Sequence, residues 1–125
     1  MIAWNQLVTE EAFADLGRAY KQATGFTLAL ISEGEIRMGS VALTDIDSLS
    51  PHRYRLMMEE SVRWGEPYIN MLENGAFLWC VPLNFNNEIV GGFFSANRTA
   101  LVQRNGAQKI REAAWALMDL CVDYN

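Results

Sequence analysis

Three side chains in this sequence have the chemistry of a nucleophile, a metal ligand or a proton carrier. His52 is the single histidine, and Cys80 and Cys121 are the two cysteines. A zinc site takes three or four ligands, and a nucleophilic cysteine needs a neighbouring base. No closely spaced pair of these residues occurs in the chain. We therefore expect His52 to be exposed and passive, both cysteines to pack as small apolar groups, and the protein to hold no metal and no cofactor.

Paired carboxylates are the other candidates for acid–base catalysis. Glu59 and Glu60 lie in a predicted helix, and Asp45 and Asp47 lie in a predicted loop. Glu59 and Arg63 are four residues apart, so an ordinary surface ion pair accounts for both. The chain also has no Gly-x-Ser-x-Gly elbow, no Gly-x-x-x-x-Gly-Lys loop and no Gly-x-Gly-x-x-Gly after a strand. We predict a protein that is not an enzyme.

Aromatic residues indicate a different kind of site, because they form the apolar walls of small-molecule pockets. Two glycines in succession remove side chains from both faces of a strand and leave room for a guest. We predict a ligand pocket lined by Trp64, Tyr68, Phe77, Trp79, Gly91, Gly92 and Phe94. Two alternatives stay open: the aromatic residues fill the core, and the glycines mark a bulge that twists the sheet.

The elements that must position these residues follow from the apolar periodicity. The first helix begins after the N-cap Thr9 and ends at Gly25. We predict helices and strands, in chain order α-β-β-α-β-β-β-α, at residues 10–24, 26–31, 36–41, 51–65, 68–72, 76–83, 88–96 and 101–123. Hairpin connections between strands predict an α+β fold, in which an antiparallel sheet of about five strands is flanked by helices. The strand at 76–83 is apolar on both faces, so we place it inside the sheet.

The last helix carries an apolar stripe with an average spacing of 3.5 residues. Its members are Ile110, Ala114, Leu117, Cys121 and Tyr124. The stripe either packs wholly on its own sheet or leaves a seam for the same helix of a second copy. The spacing favours the seam, so these residues are our predicted dimer interface. No glycine or proline ends the pattern, and we expect the helix to continue in a longer parent protein.

Size and charge narrow the class of protein. The 125 residues suffice for a single domain, which we place at residues 1–125. The net charge of −5 repels phosphate backbones and disfavours nucleic-acid binding by this domain. No apolar run is long enough to cross a bilayer, and the N-terminus lacks the pattern of a signal peptide. With only two cysteines, we expect a cytoplasmic protein without membrane contact.

Two stretches resemble known sensory domains. Val81-Pro82-Leu83, the polar turn at residues 84–87 and the diglycine strand at residues 89–94 resemble the GAF/PAS-like family. The join Ala23-Thr24-Gly25 between a helix and the first strand is similar to PocR-type sensors at the front of AraC-type transcription regulators. PocR-type sensors commonly carry more cysteines than this chain has. The resemblance implies a sensor of small-molecule or protein input, often dimeric through its terminal helices, that passes a signal to an output domain.

We therefore expect the ligand-sensing, dimerising domain of a transcription regulator. It would bind a small-molecule effector and relay the signal through its C-terminal helix to a DNA-binding domain outside this chain. The alternative is a ligand-free dimerisation or protein-interaction module, in which the aromatic residues are close-packed. A small enzyme with an unfamiliar site is a third hypothesis, and it requires a cleft where His52, Cys80 or a carboxylate pair converge.

Overall fold

The computed structural model describes residues 3–41, 51–72, 75–97 and 106–124. Asp45 and Asp47, the predicted loop around them and the predicted start of the last helix at residues 101–105 lie outside this part of the chain.

The N-terminal region forms two helices. The first, α1 (Trp4–Leu7), has four residues, which is too short to produce the apolar periodicity by which a helix is recognised in a sequence. The second, α2 (Glu10–Thr24), confirms both predicted ends. The Thr9 hydroxyl accepts a hydrogen bond from the Ala12 amide, and Gly25 adopts a left-handed conformation with φ of 83°. These are the N-cap and the glycine stop that the sequence indicates.

Five strands form one antiparallel sheet. They are β1 (Ala29–Ser32), β2 (Glu35–Gly39), β3 (Tyr68–Met71), β4 (Phe77–Phe85) and β5 (Glu88–Asn97), arranged in the order β2-β1-β5-β4-β3. The α+β prediction is confirmed. β4 pairs with β5 on one side and β3 on the other, so its predicted interior position is also confirmed. β1 begins three residues later than predicted, and Phe26 instead packs its ring against Trp79 with centroids 5.1 Å apart.

Alternation along the strands divides the interior into two cores. Trp79, Val81 and Phe93 pack on the face covered by α2 and by α4 (Gly106–Leu120). Cys80 and Phe94 pack on the opposite face, under α3 (Pro51–Trp64). A strand that contributes to both cores must be apolar at every position, which explains the continuous apolar run of β4.

The apolar stripe of the last helix belongs to the first of these cores. Ile110, Ala114, Leu117 and Cys121 are at most 1% exposed, and the Tyr124 ring lies 5.5 Å from that of Phe93. Contacts within the chain thus cover four residues of the predicted dimer seam, in line with the alternative that the stripe packs on its own sheet, and Tyr124 is partly buried. The helix also ends at Leu120, where a 3-10 turn (Val122–Tyr124) follows. Within the described residues no helix is both long and apolar enough to cross a bilayer.

Candidate functional site

Trp79, the centre of the predicted pocket, is a core residue. It is fully buried, and its indole Nε1–H donates a hydrogen bond of 2.8 Å to the Tyr20 hydroxyl. That hydroxyl donates in turn to the Ala113 carbonyl at 2.7 Å. Burial raises the pKa of Tyr20 from 10.0 to about 12, so the phenol stays a neutral donor. Trp79 therefore joins β4 to α2 and α4, and no surface of it faces a guest.

The remaining predicted aromatic residues do not converge on Trp79. Phe77 lies on the same face, partly buried, whereas Tyr68 and Phe94 pack in the core under α3. Trp64 ends α3 with 67% of its surface exposed, and its indole N–H donates to the Glu60 carboxylate at 2.9 Å. The expected single pocket is thus divided by the sheet itself, because alternate residues of one strand point to opposite faces.

Gly91 and Gly92 leave space where a Cβ atom would stand, but other atoms of the protein lie close to that space. A Cβ on Gly92 would lie 2.7 Å from the Met58 sulfur and 3.1 Å from the Val81 carbonyl oxygen. A Cβ on Gly91 would lie 3.0 Å from the Ile31 carbonyl oxygen. The β4–β5 register shifts next to Gly91, between Leu83 and Asn84, whereas Gly91 and Gly92 themselves pair regularly with Leu83 and Pro82.

An open cleft lies at one end of the sheet, where the β1–β2 turn, the first half of α3 and the start of β5 meet. Its volume is about 560 Å³, within the range of small-molecule sites. Tyr54, Met58 and Ile89 provide apolar lining, and Gly91 is the one residue of the predicted pocket that borders it.

Four charged residues line the same cleft: Glu33, Arg37, Arg55 and Glu88. Arg37 pairs with the exposed carboxylates of Glu33 at 3.7 Å and Glu35 at 3.1 Å. Its Nε atom is buried and has no hydrogen-bond partner among the described residues.

Arg55 forms the other basic part of the cleft. Its Nε donates to Glu59 at 3.1 Å, and its Nη1 donates to the Ile89 carbonyl at 3.2 Å. Glu59 thus pairs with Arg55 and not with Arg63, which pairs with Glu60 at 3.4 Å. Sequence reasoning missed this site because Arg37 and Arg55 belong to different elements, and no local spacing relates them.

The candidates for covalent or metal chemistry lie apart from this cleft. His52 is exposed beside a shallow groove that also contains Tyr68. Cys80 and Cys121 are buried thiols, and burial raises the pKa of both, which keeps them protonated and unreactive. In the part of the chain that the structure describes, no three His, Cys, Asp or Glu side chains are grouped to hold a metal ion.

Comparison with known proteins adds one result. No family model matches the sequence, and no curated protein matches it. The crystal structure of a GAF domain/HD domain protein from Geobacter sulfurreducens is similar to this chain, with a TM-score of 0.51 and 12% sequence identity. The similarity covers 96% of each chain. The fold is GAF-like. At this identity the GAF-like fold is what the comparison establishes.

Proposed function

We propose that this GAF-like domain is a sensor that binds a small-molecule effector in the cleft between the β1–β2 turn, α3 and β5. The observation that carries the proposal is the cleft itself, which combines apolar lining from Met58 and Ile89 with the guanidinium groups of Arg37 and Arg55. Apolar walls with a few polar groups are typical of small-molecule sites. The predicted pocket around Trp79 is replaced by this cleft, of which Gly91 is the shared residue.

A thermal-shift screen tests ligand binding, because a compound that binds only the folded protein raises its melting temperature. The library contains small polyols, acids, amines and aromatic compounds. The variant Ile89→Trp places a larger ring in the cleft, and Met71→Trp, at an exposed position of the edge strand β3, is its control. A compound that stabilises the wild type and Met71→Trp, but not Ile89→Trp, supports the site. A library that stabilises none of the three proteins contradicts a sensor of these compound classes.

The signal would pass to α4 through the sheet. The Tyr20 hydroxyl contacts both Trp79 of β4 and Ala113 of α4, so a displacement of β4 is transmitted to the helix. We propose that α4 relays this change to a DNA-binding domain outside the chain, as in a cytoplasmic transcription regulator of the PocR-type, AraC-type arrangement. Binding of DNA would then belong to that domain, because this one has a net charge of −5.

A second candidate function is a dimerisation module, and the outer face of α4 favours it. Trp115 of α4 is 43% exposed and Val122, in the 3-10 turn that follows the helix, is 65% exposed, although both are large apolar side chains. Arg111 and Asp119 lie four residues before and after Trp115, on the same side of the helix. Neither forms an ion pair within the described residues. In an antiparallel pair of α4 helices centred on Trp115, each Arg111 would face the Asp119 of the second copy, whereas a parallel pair would oppose like charges.

Sedimentation velocity over a concentration series tests this dimer. A contact through one helix buries less than the roughly 800 Å² per partner of a stable interface, so we expect weak, concentration-dependent association. Arg111→Glu and Asp119→Arg should each weaken it, and the double variant should restore it because the charges are exchanged. A wild type that stays monomeric at about 1 mM, or a double variant no better than the single ones, contradicts this interface.

A further inference from the structure

We propose that the effector is a small zwitterion of the amino-acid class, with an apolar side chain. This inference rests on the proposed function and names the ligand chemistry of the same cleft. The carboxylate would bind on the side of Arg37 and Arg55, the ammonium group would bind Glu88, and the side chain would contact Met58 and Ile89.

The charged residues that line the cleft favour a ligand with both a positive and a negative group. Two guanidinium groups and the two carboxylates of Glu33 and Glu88 give the lining a formal charge of zero. A ligand with a single charge is attracted either by the two guanidinium groups or by the two carboxylates, and it is repelled by the other two groups. A ligand that carries both charges at separate ends is attracted by both pairs, and its net charge is not opposed by the acidic protein.

Arg37 and Glu88 both have capacity for further polar contacts with a ligand. The buried Arg37 Nε has no partner among the residues that the structure describes. The other two nitrogens of that guanidinium pair with Glu33 and Glu35, whose side chains are 85% and 71% exposed. Ion pairs with such exposed groups contribute little and are readily exchanged. Glu88 forms no ion pair within the described residues. A ligand carboxylate therefore offers Arg37 an acceptor, and a ligand ammonium offers Glu88 a cation.

The apolar lining of the cleft favours a ligand with an apolar side chain. Tyr54, Met58 and the partly exposed Ile89 border the cleft, and methionine adapts to side chains of different shape. Polyols and inorganic anions leave such a surface unused. An aliphatic or aromatic amino-acid side chain buries it, so we expect leucine, methionine and phenylalanine to bind better than glycine.

Isothermal titration calorimetry on the whole chain tests the ligand class with matched compounds. The probes are leucine, methionine, phenylalanine and glycine, with isocaproate, which lacks the ammonium of leucine, and isoamylamine, which lacks its carboxylate. We expect each single-charge analogue to bind at least about tenfold more weakly than leucine, because each loses a charged hydrogen bond. Isocaproate that binds as tightly as leucine, or no binding of any of the apolar amino acids below about 10 mM, overturns the zwitterion proposal.

Variants assign the two ends of the ligand. Glu88→Gln should weaken leucine about tenfold and leave isocaproate unchanged, and Arg55→Gln should weaken both. Arg18→Gln is the control, because Arg18 is an exposed, ion-paired arginine on α2 outside the cleft. Leucine affinities of the Glu88 and Arg55 variants equal to that of the control would overturn the assignment. If another compound stabilises the wild type and not Ile89→Trp, whereas no amino acid binds, the proposed function stands and the ligand class fails.

Discussion

The Tyr20 hydroxyl joins three elements of the fold, and its removal tests how strongly it holds them. Tyr20→Phe deletes the hydrogen bond to the Ala113 carbonyl and leaves the fully buried Trp79 N–H without an acceptor. The Ala113 carbonyl keeps its helical partner inside α4. A net hydrogen bond contributes about 1 kcal/mol, and a buried donor without a partner costs about 1–3 kcal/mol. We therefore expect a loss of about 2–4 kcal/mol in the free energy of unfolding.

Urea denaturation followed by far-UV circular dichroism measures this loss. The midpoint should fall while the dependence of the free energy on urea concentration stays the same, because the surface exposed on unfolding is unchanged. In a thermal scan, the melting temperature should fall by roughly 8–15 °C for a chain of this length. Tyr124→Phe is the control, since no hydrogen bond of its hydroxyl occurs among the described residues, and it should stay within about 0.5 kcal/mol of the wild type.

A double-mutant cycle with Trp79→Phe separates the hydrogen bond from general packing. The donor that Tyr20→Phe leaves without a partner is absent when Trp79 is also replaced, so the double variant should be about 1–2 kcal/mol more stable than the sum of the single losses implies. If Tyr20→Phe unfolds within about 0.5 kcal/mol of the wild type, the reasoning about this network is refuted.

Three other predictions concern the core and the backbone. The pKa of Tyr20 is raised from 10.0 to about 12 in the folded protein, so the neutral phenol contributes about 2–3 kcal/mol to the free energy of unfolding. This contribution should be complete below pH 10 and lost as the pH rises to about 12. Urea titrations at alkaline pH measure it as the difference between the wild type and Tyr20→Phe. Gly39→Ala should cost more than about 3 kcal/mol, because its Cβ would overlap the Leu28 carbonyl at a positive φ, whereas Gly17→Ala, in open space on α2, should stabilise by about 0.5–1 kcal/mol. Both cysteines should resist iodoacetamide in the native protein and react fully in guanidinium chloride, as mass spectrometry will record.

Much of the fold could be predicted because its causes are local. Thr9 and Gly25 mark the ends of α2 by their own cap chemistry, and the two-sided apolar pattern of β4 requires an interior position. The turn between β4 and β5 holds Asn86 and Asn87 at φ of 50° and 65°, which asparagine tolerates better than most residues. In each case the responsible residues are neighbours in the sequence.

The site could not be predicted in the same way, because it depends on contacts between distant elements. Trp79 was expected beside a guest, yet its indole partner is Tyr20, 59 positions earlier in the chain. Gly92 leaves a space that Met58 of α3 approaches. The 3.5-residue spacing of the last helix favours a partner helix, but four of the five residues in the stripe pack in the core of the same chain.

The two cores are separated only by the thickness of the sheet. Phe93 and Phe94 are consecutive residues, but their rings belong to the interior under α2 and α4 and to the interior under α3, respectively. Any shift of β5 along or across its neighbours must repack both rings together, since one peptide bond connects them. A substitution in one core should therefore change the packing of the other. The effects of paired substitutions, one in each core, on the free energy of unfolding should depart from additivity even without contact between the two side chains.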